Sequence, residues 1–126
     1  MSQKSLNGVT ISVLKENWMI TTYEDDCLLN ATLLEDLREI YNELNGSEDL
    51  SNLRLIQVFK GSIQISRDIG ERYLTNRIRT KVGEALVSDD STTKEYLNGA
   101  SAIMRQTHPV RVFDTLDEAT AWLESL

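Results

Sequence analysis

Cysteine and histidine occur once each in this 126-residue chain. The single cysteine, Cys27, excludes an internal disulfide and points to a reducing compartment. The Asn30-Ala31-Thr32 sequon is therefore read as incidental, because glycosylation needs a secretory route. One His and one Cys cannot supply the nitrogen and sulfur ligands of a zinc site. His108 has no Ser or Cys tied to it by a recognised nucleophile motif, so it is read as a surface loop residue and not as half of a catalytic dyad.

Long apolar runs are missing as well. None approaches the roughly 18 residues of a membrane span. Met1-Ser2-Gln3-Lys4-Ser5 has no apolar stretch behind its lysine, which predicts no signal peptide, and the carboxyl end carries no lipidation motif. A cytoplasmic chain is expected. Positive charge is in deficit too: 13 basic against 20 acidic residues give a net charge of −7, which disfavours nonspecific binding to nucleic acid or anionic lipid. Aromatics make up 6% of the chain and do not interleave with the basic residues, so no nucleic-acid partner is expected.

What is present is an ordinary globular composition, long enough to bury a core in one domain over residues 1–126. Val9, Ile11 and Val13 alternate with Thr10, Ser12 and Leu14, the period of a half-buried strand. Lys15-Glu16-Asn17 turns the chain into a partner strand over Trp18–Tyr23. Leu33, Leu34, Leu37, Ile40, Tyr41 and Leu44 form one helical stripe, with Thr32 and Glu35 as a capping box and Asn45-Gly46 as a left-handed stop.

Two further strand–helix units follow. The first runs from strand Leu53–Phe59 to a helix from about Ser66 to Arg79. The second runs from strand Val82–Val87 to a helix capped by Thr92 with Glu95. Strand Val110–Phe113 and a helix capped by Thr115 with Glu118 close the chain. The predicted order is ββαβαβαβα: an α/β fold with a mixed, mostly parallel five-stranded sheet and four helices, in which only the first hairpin is antiparallel. Arg54, Gln57, Lys60, Glu84 and Arg111 interrupt the strands. Parallel strands covered on both faces usually read as continuous apolar runs, so part of the sheet is expected to face solvent or a polar partner.

Candidate sites fall at the carboxyl ends of the parallel strands, where ligands bind in open α/β sheets. Asp89 and Asp90, followed by Ser91, offer two carboxylates there. The same residue types cap helix starts, and the absence of a phosphate-binding lysine or a Gly-rich loop favours the capping reading. Lys60-Gly61-Ser62 occupies the equivalent turn one unit earlier and lacks a P-loop frame. Ser62 and Ser66 are candidate phosphoacceptors; a phosphate would add roughly −1.5 to −2 charges near a helix start. Arg72, Arg77, Arg79 and Lys81 make the second helix basic at its end, while Glu35, Asp36, Glu39 and Glu43 make the first acidic. The helix dipole accounts for such a pattern, and so does a polarised surface for a protein partner.

The hairpin, the three βα units and the closing Pro109-Val110-Arg111-Val112-Phe113-Asp114-Thr115-Leu116-Asp117-Glu118-Ala119 through Trp122-Leu123 resemble the STAS/SpoIIAA-like domains, particularly the small stand-alone bacterial proteins with a similar ending. The resemblance implies a regulatory or protein-interaction module without enzymatic activity or cofactor, working on a protein partner or as a homodimer. Other relatives resemble lipid-binding CRAL-TRIO modules, whose large acyl cavity is more than a chain of this size is expected to enclose. The family's serine switch lies in an Asp-Ser-Ser-Gly motif; this chain has Ser66-Arg67-Asp68-Ile69-Gly70 there, and only Ser66 is left of it. The alternative function is small-molecule or lipid binding at the strand ends.

Overall fold

The computed structural model describes residues 2–126. Its sheet begins one strand earlier than the hydrophobic pattern suggests. Strand β1 (Gln3–Leu6) pairs antiparallel with β2 (Val9–Lys15) across Asn7-Gly8. Both turn residues have positive φ, 48° and 80°, as a two-residue type I′ hairpin requires. Only Leu6 of β1 is even half-buried, so the strand carries no alternating apolar signal. The sheet therefore has six strands and not five, and two of its pairings are antiparallel.

β2 turns at Glu16-Asn17, with Asn17 left-handed at φ 62°, into β3 (Trp18–Tyr23). A bulge at Leu14 shifts the register so that Val13 faces Met19 while Lys15 faces Trp18. Helix α1 (Ala31–Asn45) crosses to β5 (Arg54–Phe59), α2 (Glu71–Arg77) to β7 (Gly83–Val87), and α3 (Ser91–Met104) to β8 (Val110–Phe113). Two short strands, β4 (Leu28–Leu29) and β6 (Gln64–Ile65), pair parallel with each other outside the main sheet. The sheet order is β1-β2-β3-β5-β7-β8, so every crossover steps in the same direction. Right-handed crossovers then place α1, α2 and α3 on one face. Helix α4 (Leu116–Glu124) folds back onto the other.

Two cores follow from this layering. Under α1 to α3 lie Ile11, Met19, Leu33, Leu37, Leu55, Leu86, Leu97 and Val110. Under α4, Ala119 and Leu123 pack on Trp18, Ile56, Ala85 and Val87. Arg54 shares this second face: its guanidinium donates to the carbonyls of Leu123 (3.0 Å) and Leu126 (2.7 Å), satisfying the open end of α4.

Three helix starts differ from expectation. The N-cap of α1 is Asn30, whose Oδ1 accepts from Leu33 N at 2.8 Å; Thr32 is an exposed residue inside the helix. The N-cap of α3 is Asp90, accepting from Thr93 N at 2.9 Å, two residues ahead of Thr92. Asn and Asp are the stronger caps where several polar residues compete. Helix α2 starts at Glu71, because Gly70 stands outside it as an uncapped N-cap and residues 66–70 form turns. Thr115 and Glu118 do cap α4 as expected. Among the described residues no helix is long and apolar enough to cross a membrane.

Candidate functional site

The polar interruptions of the strands face mainly inward. Gln57 pairs in register with Thr21 and Leu86, and Glu84 with Leu55 and Val110, so both side chains lie on the face that α1 to α3 cover. A carboxylate in a central strand is costly unless its charge and lone pairs are matched. Glu84 is 2% exposed and is matched on three sides. Gln57 Nε2 donates to its Oε2. His108 Nε2 lies 3.1 Å from its Oε1, and Lys81 Nζ lies 3.4 Å from the same oxygen. Tyr23 Oη donates to Gln57 Oε1 at 2.5 Å, which extends the chain of bonds beneath α1. Beside it, Thr21 Oγ1 and Tyr41 Oη share a hydrogen bond.

Burial alone would raise the Glu84 carboxyl, but the Lys81 ammonium, His108 and the Gln57 amide outweigh it and hold it down at about 2. Burial pushes the Tyr23 and Tyr41 hydroxyls up, which keeps both as neutral phenols. The expected surface position of His108 is thus overturned. Its side chain is buried against Glu84 because the loop entering β8 lies alongside the start of β7. Hydrogen on Nε2 suits an ionised carboxylate and leaves Nδ1 a bare lone pair, cheaper to bury than an orphan N–H. Of the five interrupting residues, only Arg111 and Lys60 are exposed to solvent.

Above this network is a cavity of about 150 Å³. Tyr23, Tyr41, Gln57, Lys81 and Glu84 form its polar floor. Leu34, Leu37, Leu50, Leu55, Leu74, Ile78 and Met104 form apolar walls. It opens between α1 and α2, where the half-buried Glu35, Arg38, Tyr73 and Arg79 and the exposed Arg77 stand. Glu35 accepts from Tyr73 Oη at 3.1 Å and pairs with Arg77 at 3.0 Å. Arg79 donates to Asn42 Oδ1 and to the Glu48 carbonyl. Partial burial, and then the neighbouring Arg38 guanidinium, lower the Arg79 pKa.

No family model, curated protein or solved structure matches the chain. The reading of the site therefore rests on its own chemistry.

The candidate ligand-binding and phosphoacceptor residues named from the sequence lie elsewhere, whereas Glu35, Arg77, Arg79 and Lys81, read there as charged helix faces, line the cavity. Lys60, Asp89 and the buried Ser88 border an open cleft at the carboxyl ends of β5 and β7, together with Asp114 and Leu116. Lys60 pairs with Glu24 at 3.5 Å. Asp90 is committed to capping α3, and Ser91 is that helix's exposed first residue. Ser62 donates its amide to Asp25 Oδ1 at 2.9 Å and is exposed, in the loop before β6. Ser66 is half-buried, its amide bound to the Leu29 carbonyl at 2.8 Å, and it precedes α2 instead of lying within it. The strand-end cleft and the cavity are separate sites; the first is built mostly from loops, the second from strands and helix faces.

Sequence reasoning overlooked Tyr23, Tyr41, Gln57, Glu84 and His108 as a group. One signal was available: Gln57 and Glu84 are polar residues inside otherwise apolar parallel strands, and such positions either reach solvent or demand partners.

Proposed function

We propose that the chain is a non-enzymatic binding module, STAS-like in its plan, whose site is the cavity between α1 and α2. The observation that carries this reading is the union of a concave apolar wall with a floor of convergent, fully engaged polar groups, which is how small-molecule sites are built. Binding is favoured over catalysis by the state of those groups. A general base works best with a pKa near the operating pH, whereas Glu84 is held near 2 with its oxygens already occupied. The tyrosine hydroxyls are held neutral.

A thermal-shift screen of small organic molecules, followed by amide-resolved NMR titration, tests the reading. A ligand should raise the unfolding midpoint by mass action and move the amides of Tyr41, Leu55 and Glu84. A flat screen, or shifts confined to the loops around Ser62 and Asp89, would remove the cavity as the site.

Contact with a protein partner, or with a second copy of the chain, is a second reading, favoured by the uncovered half of the sheet. α4 packs mainly on β5, β7 and β8 and its cluster reaches β3 through Trp18 and Ile20, so the face opposite α1 is least covered on β1 and β2. On β1 and β2 this face carries Gln3, Ser5, Thr10 and Ser12; Ser5 bonds Thr10 at 3.0 Å, and Ser12 bonds Gln3 at 3.0 Å. Such a surface suits a wet, reversible contact. Light scattering over a concentration series, with a pull-down on tagged chain, addresses it: a strict monomer that retains no partner ends this reading.

A further inference from the structure

The charges around the cavity do not balance, and the imbalance is local. Four cationic side chains and two carboxylates line it, a net positive mouth on a chain whose net charge is −7. The pairing can be followed one group at a time. Lys81 is matched by Glu84 on the floor, and Arg77 by Glu35 at the rim. That leaves Arg38 and Arg79. Arg79 bonds only the neutral amide of Asn42 and the Glu48 carbonyl, and Arg38 has no ion-pair partner among the described residues. After burial, the Arg38 guanidinium is the next influence that lowers Arg79, while Tyr41, Glu48 and Glu35 act in the opposite direction.

Two guanidiniums that line an apolar-walled cavity, neither of them paired with a carboxylate among the described residues, form a half-complete arrangement: planar donors without a matching anion. The wall sets the size of what lies below. An engineered apolar cavity of about 150 Å³ takes up benzene, and this cavity has about that volume. Resting on the reading of the cavity as a ligand site, we propose that its ligand is a small amphipathic organic anion. The carboxylate or phosphate is held by Arg38 and Arg79 at the mouth, and an apolar body of about one aromatic ring or six carbons lies against Leu37, Leu55 and Met104.

Calorimetric and NMR titration of the full chain with four probes tests this: benzoate, phenyl phosphate, the neutral benzyl alcohol, and inorganic phosphate. The expected result is that benzoate or phenyl phosphate binds about tenfold or more tightly than benzyl alcohol. Inorganic phosphate, with no body to fill the pocket, should bind far more weakly than phenyl phosphate. Arg38→Gln should bring the anions down toward the level of benzyl alcohol while leaving benzyl alcohol itself unchanged, and Arg38→Lys should restore part of the difference. Arg38 makes no side-chain hydrogen bond or ion pair among the described residues, so an unchanged melting temperature is expected in both variants.

Equal binding of benzyl alcohol and the acids, or an Arg38→Gln variant that binds anions as before, would overturn the anionic class while leaving the cavity as a site. Inorganic phosphate binding as tightly as phenyl phosphate would overturn the apolar body. If no probe moves the cavity amides, both this proposal and the reading beneath it fall.

Discussion

Glu84 occupies the second position of a central parallel strand, where valine or isoleucine is the usual choice. Its carboxylate serves as the shared acceptor for Gln57, His108 and Lys81, of which only Lys81 has another acceptor, the Arg79 carbonyl at 2.9 Å. Removing one member of a buried charged network strands the others, at a cost of about 3–5 kcal/mol. Glu84→Ala should therefore lose stability on that scale in urea unfolding, a large share of the roughly 5–15 kcal/mol that holds a domain. A loss below about 1 kcal/mol would mean that the network does not stabilise the fold. Cys27 shows the opposite behaviour at the same scale. Its thiol is buried and raised by that burial, with only the Asn7 carbonyl near it at 3.7 Å. It should react slowly with a disulfide thiol reagent in the native protein and rapidly once denaturant is added; equal rates would contradict the burial.

At the scale of elements, the competing caps of α1 can be separated directly. Asn30 holds Leu33 N, while Asp68, from the loop before α2, accepts from Ala31 N at 3.2 Å. Asn30→Ala should cost about 1 kcal/mol, the usual worth of a side-chain N-cap. Thr32→Ala, on the exposed face of the first turn, should stay within about 0.5 kcal/mol. Equal losses would restore the capping box. The same region explains what could be read in advance. Helices α1, α3 and α4 and strands β2, β3, β5, β7 and β8 declare themselves by periodicity, since each buries a regular set of apolar residues. Strands β4 and β6 are two residues long, and β1 buries almost nothing, so none of the three leaves a pattern. For β1, the Asn7-Gly8 pair was the overlooked sign, because a hairpin turn of that kind needs strands on both sides. The cavity was harder to foresee. Tyr23, Tyr41, Gln57, Glu84 and His108 are scattered along the chain and meet only through parallel register and the crossing of α1, which no local spacing encodes.

For the molecule as a whole, the buried carboxylate ties folding to acidity. The Glu84 carboxyl is held at about 2 in the folded chain, against 4.5 for a free glutamate. A folded value below the unfolded one contributes stability that is fully present above the unfolded value and is lost as pH falls through the folded one. Between about pH 4.5 and pH 2 the unfolded chain carries a proton at this position that the folded chain refuses. Unfolding free energy should then drop by about 1.4 kcal/mol per pH unit across the window, on the order of 3 kcal/mol in all. Other carboxylates act in the same direction: Asp49 and Asp90 are lowered by hydrogen bonds from Ser51 and Thr93. A single pH titration of the parent protein would therefore not isolate Glu84. The difference between parent and Glu84→Gln removes the contribution of Asp49, Asp90 and the other carboxylates away from the network, because the glutamine keeps the shape and cannot titrate while those acids are common to both. Urea unfolding at a series of pH values from 5 to 2.5 should give the parent the steeper fall. Parallel curves throughout would mean that Glu84 takes up its proton equally in the folded and unfolded states, and that Lys81, His108 and Gln57 only offset the cost of burying it.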